Sequence, residues 1–288
     1  MSIPMEIITD ETELKRAGLY WREHEGVRAL VCAPLEDEGF TNAFSTRLGG
    51  VSPMPQASLN LAGFDDDAAE NIYENRRRFL KLFEGDWTLA ACWQVHGASV
   101  RVVKSLEDAR EPLGSLGEAA RCDALISRTP RVLLGVKTAD CVPVILGDQR
   151  TGAYAAVHAG WRGTLSRIVP HTLSRMRAEY GTQAADVRAC IGPAALACCY
   201  EVGPEVIEAF RREFAEADKL LTPTRENHAL IDLHRANQEQ LTEAGVAASR
   251  IHLAPLCTMC RTDLFFSYRR EKSTYGRTGR LMSVIGKQ

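Results

Sequence analysis

With 288 residues, 45% of them hydrophobic, the chain can form one large domain or two small ones around a real core, which excludes disorder. Its 35 basic and 37 acidic side chains leave a net charge of -2, so no global field draws it to nucleic acid or to an anionic membrane, and neither is expected as a partner. The longest apolar runs, such as VLLGV and VPVIL, are too short to span a bilayer and the stretch MSIPMEIITDETELKR carries no export signal, so a soluble cytoplasmic protein is expected.

Nine cysteines in such a chain read as reduced thiols, serving as small core residues, metal ligands or nucleophiles. No internal repeat, low-complexity segment or Gly/Ser linker interrupts the chain, and one domain is the default. Residues 1–39 read as a peripheral segment ahead of a domain over 40–288. A short helix is predicted from Asp10 to Arg16 and a strand from Val27 to Ala33.

Thr41 to Thr46 reads as a strand, and the turn Arg47-Leu48-Gly49-Gly50 puts a guanidinium beside two flexible amides, a plausible anion site. Ile72, Phe79, Leu80 and Phe83 then mark an amphipathic helix, with acids at its start and Arg76 to Arg78 later. Trp87 to Gln94 and Ser99 to Val103 are strand-like, which places His96 at a strand end. Ser105 to Glu118 reads as a loop, and Asp123 to Ile126 opens another strand.

Arg131 to Val136, Val142 to Leu146 and Ala153 to Val157 are three β-rich runs, so Cys141 and His158 fall at strand termini, where sites are commonly built. A helix follows, with Thr164 as N-cap, Gly181 as stop and a kink expected at Pro170. Beyond it come a strand from Val187 to Ile191, a helix from Pro204 to Ala215, a loop near Thr222 to His228, a helix from Asp232 to Ala244, a strand from Ile251 to Ala254 and a closing strand. Alternating strands and helices favour a single mixed α/β domain with central β-structure flanked by helices.

Three residues invite a test for metal. His96, Cys141 and His158 offer two imidazoles and a thiolate, the donor set of an open catalytic zinc site. Their separations of 45 and 17 residues match no compact finger, so buried or hydrogen-bonded strand-end residues remain the alternative. Cys141 also reads as a nucleophile with His158 or His96 as its base; the two roles compete, because a metal-bound thiolate is a poorer nucleophile. Cys198, Cys199, Cys257 and Cys260 include one C-x-x-C, half of a structural zinc ribbon; with no second C-x-x-C, they read as reduced packing cysteines, with a second metal as the lesser alternative. Arg47, Arg162, Arg269, Arg270 and Arg280 can each bind phosphate or carboxylate, and the Gly-bearing turns of Arg47 and Arg162 raise those two above the rest.

At this point the chain resembles the YfiH family, through FSTRLGGVS, WQVHG, DALIS, KTADCVPVIL, HAGWRGT, IGPA with CCYEV, and FFSYRR with TGR, in the family's order over residues 40 to 288. The family has carried the label of multicopper polyphenol oxidase or laccase-domain protein, and its fold is related to that of bacterial cysteine hydrolases and toxin deamidases. A multicopper oxidase needs many imidazoles, often in His-x-His pairs. Seven histidines and no such pair speak against laccase chemistry, with copper at most an adventitious occupant.

The resemblance implies instead zinc on His96, Cys141 and His158. It implies phosphorolysis of adenosine, inosine, guanosine and methylthioadenosine to base and ribose 1-phosphate, and adenosine deamination at the same site, by a monomer or homodimer. On this reading Arg47, with Arg162, orients phosphate, Asp140 handles protons, and Asp123 and Lys137 support the site. The rivals are a zinc-free hydrolase or deamidase using Cys141 with His158, and a non-enzymatic interaction or quality-control module.

Overall fold

Two six-stranded sheets face each other across an apolar layer, and each carries helices on its outer face. The structure is a computed structural model and describes residues 11–53, 57–62, 67–109 and 121–288. From residue 110 on, the loop expected over 105–118 lies outside them; Leu106–Ala109 is a helical turn.

The first sheet runs Leu19–His24, Val27–Cys32, Phe40–Ser45, Leu281–Lys287, Val132–Thr138, Thr88–Ala90. The second runs Ile251–Leu253, Val187–Ile191, Val142–Asp148, Ala153–Ala159, Ala124–Ser127, Val100–Val102. A small third sheet joins Glu201–Val202, Ala229–Ile231 and Leu221–Pro223.

Alternation along the strands decides what each layer receives. In Ala153–Ala159, Ala153, Ala155 and Val157 point to the outer helices, whereas Tyr154 and Ala156 enter the layer between the sheets. His158 has the parity of that inner set. The outer helices Ile168–Tyr180, Pro204–Glu213 and Leu233–Glu243 cover the second sheet through Val169, Met176, Phe210 and Leu241, and Ala69–Leu80 covers the first through Phe79.

Several expectations need correction. Residues 1–39 are not all peripheral, because Leu19–His24 and Val27–Cys32 pair with one another and the latter pairs with Phe40–Ser45, burying Leu30 and Val31. The strand expected over 87–94 ends at Ala90, where its parallel partner is Leu134. The helix expected from Thr164 is two helices, Trp161–Leu165 and Ile168–Tyr180, broken at Arg167, whose φ is 56°. Pro170 then sits in a first turn, where a missing N–H costs nothing, and it makes no kink. Gly181 does end that helix, at φ 72°.

His234 gives the fold a pH dependence. It is buried, and its Nε2 lies 2.9 Å from the Gly192 carbonyl oxygen, to which a protonated Nε2 donates. Burial holds its pKa down, at about 4 against an ordinary 6.5. Unfolded chains therefore take up this proton first as pH falls, so the contribution is complete above pH 6.5 and is lost towards pH 4, by about 3 kcal/mol. Urea unfolding at several pH values should show that slope, and His234→Gln should lack it.

Candidate active site and metal centre

The chain leaves the first sheet at Thr138 and enters the second at Val142, so Ala139-Asp140-Cys141 is the crossover between them. Antiparallel pairing of Val142 with Ala159 and of Pro143 with His158 brings the end of the neighbouring strand beside Cys141. A third segment, Trp93 to Gly97, completes the corner. Gln94 holds it there by acting as a strand: its Nε2 donates to the Lys137 carbonyl at 2.7 Å and its Oε1 accepts from the Lys137 amide at 2.7 Å.

These three segments put the ligand atoms of His96, Cys141 and His158 within 4.8 Å of one another. The two imidazoles meet edge to face, centroids 4.9 Å apart. Gly160 lines the same corner: a Cβ there would lie 3.1 Å from the Cys141 sulfur and 3.3 Å from the His96 ring, so any side chain would push both ligands aside by a few tenths of an ångström.

Asp123, fully buried, organises the group. Its Oδ1 lies 2.8 Å from His158 Nδ1 and accepts from the His96 amide at 2.9 Å, while Oδ2 accepts from the Gly97 amide at 2.7 Å. One carboxylate thus stabilises the left-handed backbone of His96, φ 59°, and turns the His158 ring so that Nε2 faces the cysteine. Burial works against its charge, yet the His158 ring and these amides hold its carboxyl below the usual range.

Burial also opposes ionisation of Cys141, but His158 and His96 bring its thiol down to about 6. For His158 burial favours the neutral ring, and Cys141 with Asp123 outweigh it, raising the group to about 9. At neutral pH this is a thiolate beside an imidazolium, a pair in which a divalent cation can replace the proton. Two nitrogens and one thiolate suit zinc, with one side left open.

The open side faces a cavity of about 540 Å³, lined by Trp93, Gln94, Lys137, Tyr268 and Arg280 besides the triplet. Trp93 and Tyr268, 39% and 48% exposed, supply its aromatic wall, with the Arg280 guanidinium over the Tyr268 ring, 5.9 Å from its centroid. Lys137 and Arg280 supply the positive charge; Arg280 Nη1 donates to the Gly279 carbonyl at 3.1 Å, which fixes its position at the rim.

Three expected site residues stand elsewhere. Arg47 is 7% exposed, and its Nη1 donates to Glu271 Oε1 at 2.7 Å and to the Thr262 carbonyl at 2.7 Å, clamping the strand Phe40–Ser45 to the segment before the last strand. Arg162 is exposed, with its guanidinium 4.0 Å above the Trp161 ring and 3.6 Å from Glu205. Asp140 holds a left-handed φ of 88°, and its carboxylate accepts from Thr258 Oγ1 at 2.7 Å, Ser267 Oγ at 3.0 Å and the Arg269 amide at 2.7 Å. Those bonds anchor the crossover to the start of the helix Tyr268–Tyr275 and leave the carboxylate no part in the cavity wall. Gln94, Trp93 and Tyr268 went unread in the sequence; only their neighbourhood to His96 and to FFSYRR marked them.

The family model for multi-copper polyphenol oxidoreductase laccase matches residues 41–288. A purine nucleoside phosphorylase of Bacteroides thetaiotaomicron is 37% identical over 251 residues, 84% of this chain and 89% of that protein. Adenosine deaminase RL5, from an unknown prokaryotic organism, is 34% identical over 239 residues, 82% of this chain and 91% of that one. Among solved structures, the hypothetical protein YfiH of Bacillus licheniformis superposes with a TM-score of 0.85 at 30% identity, covering 93% of this chain and 99% of that one.

Proposed function

Because the chain belongs to the YfiH family, the multi-copper polyphenol oxidoreductase laccases by description, we propose that it is a zinc-dependent purine nucleoside phosphorylase that also deaminates adenosine. The substrates of this reading are adenosine, inosine, guanosine and methylthioadenosine, with phosphate as the second reactant. The observation that carries it is the convergence of His96, Cys141 and His158 at the floor of a cavity with aromatic and cationic walls.

His96 Nε2 or Nδ1, the Cys141 sulfur and His158 Nε2 would hold the ion. Zinc supplies there a Lewis acid that polarises oxygen and acidifies water, which serves deamination directly. The oxidase part of the family description finds no support in the donor set: the metal-ligand clusters among the described residues contain two imidazoles in all, too few for a trinuclear copper site.

For phosphorolysis, a phosphate oxygen must lie in line with the bond from the anomeric carbon to the purine, and the departing base must take up a proton. Arg280 and Lys137 line the cavity, which supports giving them the phosphate-holding role expected of Arg47 and Arg162. Trp93 and Tyr268 cover the purine and exclude water from its faces. Asp123 keeps a proton on His158 Nδ1, so the other nitrogen stays available to the ion.

A second reading has its own support. Cys141, brought down to about 6 beside His158, also fits a cysteine nucleophile of a hydrolase or deamidase.

Arginine variants test the phosphate assignment. Arg280→Ala is expected to raise the phosphate KM by roughly tenfold or more, the value of a charge-assisted contact, while phosphate-independent deamination persists. Arg47→Ala should leave that KM unchanged and lower stability by about 3 kcal/mol, because it strands buried Glu271. Initial rates at varied phosphate with urea unfolding check both. A wild-type KM in Arg280→Ala with a raised KM in Arg47→Ala would reverse the assignment.

A further inference from the structure

Outside the catalytic corner, four sulfurs gather in one place. The Sγ atoms of Cys198, Cys199, Cys257 and Cys260 all lie within 4.8 Å of one another, with Cys199 to Cys260 at 3.1 Å and Cys198 to Cys260 at 3.6 Å. All four are free thiols. Sulfurs around a tetrahedral zinc at ~2.3 Å are roughly 3.8 Å apart, within the spread seen here, whereas a disulfide brings its sulfurs to ~2.0 Å.

We infer that Cys198, Cys199, Cys257 and Cys260 bind a second zinc ion, in a closed site of four thiolates. The fold supplies what the sequence pattern lacks. Cys257 and Cys260 form a C-x-x-C after the strand Ile251–Leu253, and the adjacent pair Cys198-Cys199 lies in the loop after Val187–Ile191, the neighbour of that strand in the sheet. The loops are already zipped: Ala194 and Cys257 form a parallel bridge, and the Thr258 amide donates to the Ala194 carbonyl at 2.9 Å.

Four sulfurs leave no open position and no proton donor, so this ion is structural and holds no substrate. Soft thiolates in a tetrahedron select zinc over magnesium or calcium. Its effect reaches the catalytic corner through one residue. Thr258, inside the C-x-x-C, donates to Asp140 Oδ1, and the Asp140 carbonyl accepts from the Ala195 amide at 2.9 Å, in the other loop. The ion thus fixes both loops that hold the strained crossover before Cys141. Cys198 is exposed, which gives the ion a route in, and Cys257 is buried.

The inference stands apart from the proposed activity and is tested on metal alone. The whole chain, reduced and stripped by chelator, is titrated with cobalt(II) and then with zinc. Two equivalents are expected, one of them with the intense sulfur-to-cobalt charge-transfer absorption of a four-thiolate tetrahedron. His96→Ala should keep that absorption and fall from two equivalents to one. Cys257→Ser/Cys260→Ser should lose it and keep the other equivalent.

If that double variant does not fold, the wild type decides by alkylation: zinc should protect the four thiols as a set. Loss of the four-thiolate absorption in favour of a single cobalt equivalent, equal alkylation with and without zinc, or a Cys199–Cys260 disulfide in protein kept reduced would each overturn the inference.

Discussion

Cys141→Ala is expected to remove the ion from the catalytic corner and to abolish nucleoside turnover in the same step. It takes away the only thiolate of the triplet and leaves His96 and His158 as a two-point site. Even partners one bond further out are worth ~10–100-fold in metal affinity, so losing a ligand should cost at least ~100-fold. Zinc stoichiometry after gel filtration and adenosine turnover with phosphate check both. Cys141→Asp sharpens the test, since a carboxylate can ligate zinc but supplies no sulfur nucleophile. Recovery of metal and of part of the turnover in that variant supports the metal reading. Wild-type turnover that survives chelation yet stops on alkylation of Cys141 would establish the cysteine hydrolase instead.

Asp123→Asn should be nearly as damaging, although the residue touches neither ion nor substrate. Oδ1 can still accept from His158 and from the His96 amide, but the new amide group faces the Gly97 amide across the 2.7 Å now spanned by a hydrogen bond. Donor meets donor, and the turn that carries His96 loses its anchor. Metal affinity is expected to fall ~10–100-fold and stability by about 3 kcal/mol. A chelator competition and a urea titration measure the two separately. An Asn variant with wild-type affinity would show that the carboxylate charge is dispensable and that shape alone orients the rings.

The strands were legible where burial on both faces left uninterrupted apolar runs, as in VPVIL and AYAAV, and their ends located Cys141 and His158. His96 was legible for the same reason, although the strand before it ends earlier than its composition suggests, because Gln94 takes over the pairing at Lys137. The turn of Arg47 looks the same in sequence whether the guanidinium meets phosphate or a buried acid; here it meets Glu271, 224 positions away. Asp140 was placed by adjacency, and adjacency says nothing of direction: its positive φ sends the carboxylate to Thr258 and Ser267. The cysteine cluster escaped a spacing template because one of its pairs is contiguous, and only sheet order brings the pairs together.

The strand Leu281–Lys287 lies inside the first sheet, bonded to Phe40–Ser45 on one side and to Val132–Thr138 on the other. During synthesis those two neighbours exist long before the strand that joins them. Until then each presents an open edge, a template for pairing with another chain. Without Leu281–Lys287 both edges stay open and the interior of the sandwich is uncovered on that side. A chain lacking residues 281–287 is therefore expected to aggregate rather than to complete this sheet.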